Sequence, residues 1–243
     1  MGNMSGHSKW ATIKRQKGAT DTKRGLTFTK ISNAITIAVK RGGGIVDPDQ
    51  NFRLRLAIEA ARGANMPKEN IERAIKRAVG RGVGIVEEVI YEGFAKGGVS
   101  VIIEAATDNV QRTTSEIKSI FNKEGASFGQ PGSVAYQFNN KGMIIIKKDG
   151  KSIDEIFNIA ADSGGEDIEE VGNEIFIYTF PSEVSRVKDR LKESGLQITD
   201  VELVKEPIVT VPISDKDDRE RVINFLHKLE DLDDVQKVYS NLE

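Results

Sequence analysis

The densest chemistry in this chain is cationic. Lys9, Lys14, Arg15, Lys17, Lys23 and Arg24 fall within sixteen residues, and Trp10, the only tryptophan, lies among them. Lysine and arginine gain affinity for a phosphate backbone by displacing condensed counterions, and an aromatic ring beside them can stack on an unpaired base. Trp10 has a second use open to it, which is to anchor the segment to its own module through the apolar ring. His7 lies between Ser5 and Ser8. A serine near a histidine in sequence is not a dyad, because triads are assembled across the fold, so His7 suits a backbone or phosphate contact. Lys30, Lys40, Arg41, Arg53 and Arg55 extend the same chemistry along the chain.

Other chemistry is thinly provided for. There are no cysteines and only two histidines, His7 and His227, which removes disulfides, thiolate metal sites and cysteine nucleophiles together. The glycine runs Gly42–Gly44 and 80–84 match neither the GxxxxGK[ST] phosphate loop nor a strand-GxGxxG-helix unit, and read as turns or linkers. Asp215, Asp217 and Asp218 suit a helix N-terminus, whose dipole favours negative charge. Glu230, Asp231, Asp233 and Asp234 lack calcium-loop spacing and read as a solvated turn. These residues predict a non-enzymatic protein with no metal, no cofactor and no small-molecule substrate. No apolar run approaches the roughly 18 residues of a membrane span, and nothing near Met1 resembles a signal peptide, so a cytoplasmic location is expected.

The net charge of −2 conceals a division. Residues 1–80 hold sixteen lysines and arginines against six carboxylates, a net of +10, whereas the remainder holds nineteen against thirty-one, a net of −12. Such asymmetry suggests a polyanion-binding module joined to a body that repels polyanions or faces a basic protein partner.

Elements to position this charge follow from periodicity. Phe28, Ile31, Ile35 and Ala38 recur at helical spacing between Leu26 and Arg41, a second helix runs from Asn51 to Arg62 around Leu54, Ile58 and Ala61, and a third begins at Pro67 with Ile71, Ile75 and Ala78 inward. Alternation then replaces it. Strands at 86–94 and 99–105 flank the hairpin signal Lys96-Gly97-Gly98, a helix capped by Asp108 follows, and a strand is expected near Val134 to Phe138. Residues 143–205 spell βαββαβ, the ferredoxin-like order, with Ser152 and Glu155 as a capping box and Ile153, Ile156, Phe157, Ala160 and Ala161 as an apolar stripe. The last segment supplies only a strand at 208–213, a helix capped by Ser214 and a strand at 235–239. That is too little for a domain, so it should fold back onto the unit at 85–125. The expected class is α+β in three domains: a basic helical domain at 1–80 followed by two ferredoxin-like α/β domains, a discontinuous one at 81–138 plus 207–243 and one at 139–206 inserted in it.

The runs GHSKWATIKRQKGATDTKRG from Gly6, NFRLRLAIEAARGANMPKENIERAIKRAVG from Asn51, YEGFAKGGVSVIIEAATDN from Tyr91 and LEDLDDVQKVYSNL from Leu229 together resemble the YebC family over almost the whole chain. Phe94-Ala95-Lys96 departs from the tyrosine, glycine and proline common in relatives, which bears only on that hairpin. The resemblance implies three domains and a cytoplasmic binder without cofactor, with the GHSKW arm, Lys14, Arg15, Lys17, Lys23 and Arg24 as binding candidates. Bacterial members are named probable transcriptional regulators, and the mitochondrial relative is described as a translational activator of cytochrome c oxidase subunit I. Two targets are therefore expected in turn: DNA, in control of transcription, or ribosomal RNA, with the acidic domains meeting basic proteins.

Overall fold

The computed structural model describes residues 24–80 and 86–243. Among the described residues three helices come first, α1 (Arg24–Arg41), α2 (Phe52–Gly63) and α3 (Lys68–Val79). Ile35, Val39, Leu54, Ala61 and Ala74 are buried between them, with Phe28 and Ile31 packed at the side. Asn51 caps α2 by accepting from the Leu54 amide, and its Nδ2 donates to the carbonyls of Ala38 and Ile45 at 3.0 and 2.9 Å, which ties the α1–α2 loop to both helices. Gly42 passes so close to this amide that a Cβ there would lie 2.2 Å from it. Pro67, expected as the first helical residue, is instead the cap, with φ −57° and ψ 141°. Its missing N–H is harmless at either position.

Next along the chain are β1 (Glu87–Phe94), β2 (Ser100–Thr107), α4 (Val110–Lys123) and β3 (Ser127–Phe128). They are followed by β4 (Phe138–Lys147), α5 (Ile153–Ser163), β5 (Asp167–Val171), β6 (Glu174–Thr179), α6 (Val184–Glu193) and β7 (Ile198–Pro207). The chain closes with α7 (Lys216–Glu230) and β8 (Val235–Ser240). Two antiparallel four-stranded sheets result, ordered β3-β1-β2-β8 and β5-β6-β4-β7. The second is therefore inserted between β3 and α7 of the first. This is the α+β architecture predicted, a helical bundle followed by two ferredoxin-like units with one set into the other.

In the first unit α4 and α7 cover one face, where Phe121 meets Phe225 edge-on at 5.0 Å. In the second, alternation buries both faces: Ile144, Ile146, Ile175 and Ile177 turn toward α5 and α6, and Met143, Ile145, Phe176 and Tyr178 turn the other way. The Lys96–Gly98 hairpin forms a single 3-10 turn in which Gly97 and Gly98 both sit at φ 77°, a region open to glycine.

Several local expectations are corrected. Asn109, not Asp108, caps α4 by accepting from the Arg112 amide at 3.1 Å, while Asp108 pairs with the Arg112 guanidinium. Asp215, not Ser214, caps α7. The strand expected near Val134 to Phe138 begins only at Phe138, because the Glu92 carboxylate accepts from the amides of Gly132, Val134 and Ala135 and curls the chain into a 3-10 turn at Ala135–Gln137. The strand expected at 208–213 makes a single bridge, Val211 to Leu242, and Pro212 can donate no further ladder bond. Phe157 and Ala161 are exposed, since Ile156, Ala160 and Ser163 define the inner face of α5. Asp234 is not solvated but buried.

Candidate nucleic-acid interface

The bundle is organised around α1. The third helix, α3, runs back along it: Thr36 Oγ1 reaches the Ala74 carbonyl at 3.3 Å, and one turn later the Arg77 guanidinium donates to Asn33 Oδ1 at 2.8 Å and to Thr36 Oγ1 at 3.1 Å. The second half of α3 thus lies, antiparallel, beside the middle of α1. Asn33 and Thr36 are buried polar groups, and Arg77 supplies the partner that each requires.

Of the thirteen sequence-predicted contact residues, His7, Lys9, Trp10, Lys14, Arg15, Lys17 and Lys23 lie outside the described residues. Arg24 is the first residue of α1. Four others are turned inward as fasteners. Lys30 donates to the carbonyl of Glu230 at the C-terminal end of α7. Lys40 donates to the Val86 carbonyl at 2.7 Å, and Arg41 Nε pairs with Glu88 at 2.5 Å. Arg55 donates to the carbonyls of Pro48 and Asp49, both at 3.0 Å, and so braces the loop ahead of α2. Arg53 is exposed and makes no ion pair with a described residue.

The cations of α3 were not among the sequence-predicted contact residues. Arg73 and Lys76 are exposed one turn apart, and among the described residues neither is in an ion pair. The carboxylates of the bundle lie elsewhere. Asp47 and Asp49 sit in the α1–α2 loop, beyond the C-terminus of α1, Glu69 and Glu72 are on the first two turns of α3, and Glu59 faces Lys188 of α6 at 3.9 Å. Because α1 and α3 are antiparallel, the loop and the start of α3 share one end of the bundle, and Arg73, Lys76 and Arg77 follow on the second half of α3, beside the middle of α1. The readable signal was two helical turns with three cations and no carboxylate.

The comparisons with known proteins identify the family. Residues 8–81 match the family described as the TACO1/YebC protein N-terminal domain, and residues 86–242 match the TACO1/YebC second and third domain. The chain belongs to the TACO1/YebC family. A protein from Dictyoglomus thermophilum is 48% identical over 242 residues, covering 99% of this chain and 96% of its own length, and one from Thermotoga maritima is 48% identical with 99% and 94% covered; both are named probable transcriptional regulatory proteins. The crystal structure of a conserved hypothetical protein from Aquifex aeolicus superposes with a TM-score of 0.88 at 44% identity, covering 97% of each chain.

In this TACO1/YebC chain the helical domain is fixed to the first sheet through the β2 backbone, beside a buried carboxylate. Asn33 Nδ2 donates to the Ala106 carbonyl at 3.3 Å, and the Ala106 amide donates to the carbonyl of Asp234 at 2.8 Å. The side chain of Asp234 accepts from Thr113 Oγ1 at 2.6 Å, Arg112 Nη2 at 2.8 Å and Thr107 Oγ1 at 3.0 Å. Burial alone would raise this carboxyl, but the hydrogen bonds from Arg112, Thr113 and Thr107 and the charge of Arg112 outweigh it and hold the group below the usual carboxylate range. A second polar joint connects the two sheets. Burial would lower the Lys237 ammonium, yet the Glu202 charge and its hydrogen bond at 2.7 Å hold it above the ordinary lysine value, and it also donates to the Leu203 carbonyl.

The contact between helical domain and inserted domain is looser. A cleft of about 700 Å³ separates α2 from α6 and β7, lined by Glu59, Ala60, Lys188, Lys192 and Thr199. Phe52, packed against the inserted core, and the Glu59–Lys188 pair bridge its side. No cluster able to hold a metal ion occurs among the described residues, nor is any described helix long and apolar enough to cross a membrane.

Proposed function

We propose that this chain is a non-enzymatic, cytoplasmic regulator of gene expression that holds the phosphate backbone of a nucleic acid with its helical domain. The observation that carries this reading is the segregation of charge: a net of +10 in residues 1–80 against −12 in the rest, with Arg73 and Lys76 of α3 exposed and in no ion pair among the described residues. Affinity then comes from phosphates, and the acidic α/β domains stand away from the polyanion or meet a basic protein.

DNA is the target that the names of the bacterial relatives support. A specific observation favours a second reading, in which the target is ribosomal RNA in a translation complex. A recognition helix of the helix-turn-helix kind enters the major groove by its N-terminal residues. Here the first two turns of α3 carry Glu69 and Glu72, which repel phosphates, and α3 has no side-chain cap to give way to a base. Such a helix suits backbone contact on a structured nucleic acid more than base readout.

The test is to crosslink the protein in cells, fractionate the lysate on a sucrose gradient, and sequence the attached nucleic acid. Discrete promoter DNA with empty ribosomal fractions establishes transcriptional control. Ribosomal RNA, lost when Lys14, Arg15 and Lys17 are changed to glutamate, establishes the translational role. Recovery of neither refutes nucleic-acid binding as the function.

A further inference from the structure

We infer that an uncharged patch at the neck between the two α/β units, built on Tyr136, Ile208 and Val209, is a self-association surface through which a second copy of this chain docks. The inference stands apart from the nucleic-acid reading above. Its consequence for that reading is that one particle carries two basic bundles, which gives a long polyanion two points of attachment.

Charge patterning supplies the first observation. Residues 125–140 and 207–214 contain no charged side chain, in a chain of which 30% is charged. The fold brings these two runs together: Phe138 opposes Pro207 at the start of the β4–β7 ladder, and the Ile208 amide donates to the Gln137 carbonyl at 2.8 Å. Around that bond Tyr136 is 72% exposed, Ile208 54% and Val209 68%, with the neutral amides of Asn139 and Asn140 exposed beside them in the chain. Single exposed apolar side chains are ordinary, but three that adjoin within neutral surroundings form a patch. Their chain neighbours already serve the interior, Val134 and Phe138 against Ile102, and Val211 and Ile213 against the core beneath α4 and α7. None of the three belongs to either core.

The exposed ring is also held in place. Gln137 Nε2 donates to Tyr136 Oη at 3.3 Å, and Gln137 Oε1 accepts from Ser100 Oγ at 3.0 Å and from Asn241 Nδ2 at 3.4 Å. Asn241 Oδ1 in turn accepts from the Ser100 amide at 2.8 Å, and both Ser100 and Asn241 are buried. A buried polar network thus ends on a solvent-exposed ring, which lowers the ordering cost of a contact made there. Charge selects the occupant. A polyanion finds no cation in the two runs, and a basic protein finds no carboxylate. Residues 81–243 carry a net of −12, so two copies repel wherever their charged surfaces face each other, and the neutral patch is where such bodies meet without that cost. A two-fold contact sets Tyr136 of each protomer against Ile208 and Val209 of the other.

The experiment is sedimentation velocity of the full chain, treated with nuclease and free of nucleic acid, from about 1 to about 200 μM, since a patch of this size suits a weak contact. The sedimenting mass should rise with concentration from one chain toward two, and added salt should favour the dimer by screening the repulsion between the acidic bodies. Val209→Glu sets like charges against each other across the two-fold axis and should weaken association by about tenfold or more, with an unchanged thermal midpoint because the side chain is exposed. Phe157→Glu, which alters an exposed apolar side chain on α5, should associate as the unaltered protein does. The inference is overturned if the unaltered protein keeps the mass of a single chain across the whole range, or if salt dissociates the dimer. It is likewise overturned if Val209→Glu dimerises as well as the unaltered protein, or if Phe157→Glu abolishes the dimer and Val209→Glu does not. Because nucleic acid is absent throughout, failure here leaves the phosphate-binding reading intact.

Discussion

Two basic helices of one bundle use their charge in different ways. On α1, Lys30, Lys40 and Arg41 reach across to Glu230, Val86 and Glu88 and fix the helical domain to the first sheet. On α3, Arg73 and Lys76 are exposed and form no ion pair with a described residue. Composition counts both as a polyanion surface. The structure separates fasteners from free donors, and the lesson is that a basic module advertises its ligand through the cations it has left over after building itself.

If that contrast holds, damage to the α1 joint should cost stability and leave salt-dependent binding alone. The largest effect is expected from Asp234→Ala, which strands Arg112, Thr113 and Thr107 without their acceptor beneath the joint. Leaving the two buried threonine hydroxyls without their acceptor costs about 1–3 kcal/mol each, readable as a lowered denaturant midpoint. Asn33→Ala should follow at about 1–3 kcal/mol, because it leaves the Ala106 carbonyl and part of the Arg77 guanidinium unpaired. An equal loss of nucleic-acid affinity in Asn33→Ala at constant folded fraction would break the comparison.

A smaller effect concerns pH. The folded Asp234 carboxyl is depressed relative to the free side chain, so its contribution to stability is complete at neutral pH and is lost as pH falls below about 4 and through the folded value. Asp234→Asn removes that titration, and its stability should vary less with pH over this acid limb than that of the unaltered protein. A parallel acid limb in both proteins would place the titration elsewhere. The smallest effect belongs to Arg41→Ala. Its pair with Glu88 is half exposed, and a loss below about 1 kcal/mol in thermal or urea unfolding is expected.

Much of the architecture was legible because it rests on period and turn chemistry. The helical stripe around Ile35, Leu54 and Ile71, the Ser152 cap on α5 and the paired glycines of the β1–β2 hairpin all act within a few residues. The fold-back of β8 onto β2 followed from counting what the C-terminal segment could bury alone. What escaped was decided by distant partners. Glu92 draws in amides some forty residues away and replaces the expected strand with a turn, and Asp234 reads as one more acidic residue in a polar run until Thr107 and Thr113 are seen against it. The site was legible in kind and not in detail. Lysines and arginines carry the same letter whether they hold a carbonyl of another domain or wait in solvent, so Lys40 and Arg55 were read with the arm while Arg73 and Lys76 were passed over.

The most direct test of the account is to find where nucleic acid touches the chain. The full protein is irradiated with duplex DNA or an RNA hairpin, digested, and its nucleotide-modified peptides are located by mass spectrometry. The account predicts modification in the segment 7–24 and around Arg73 to Arg77, with the α/β domains unmodified. Crosslinks concentrated on the inserted domain, with the helical domain clean, would contradict it.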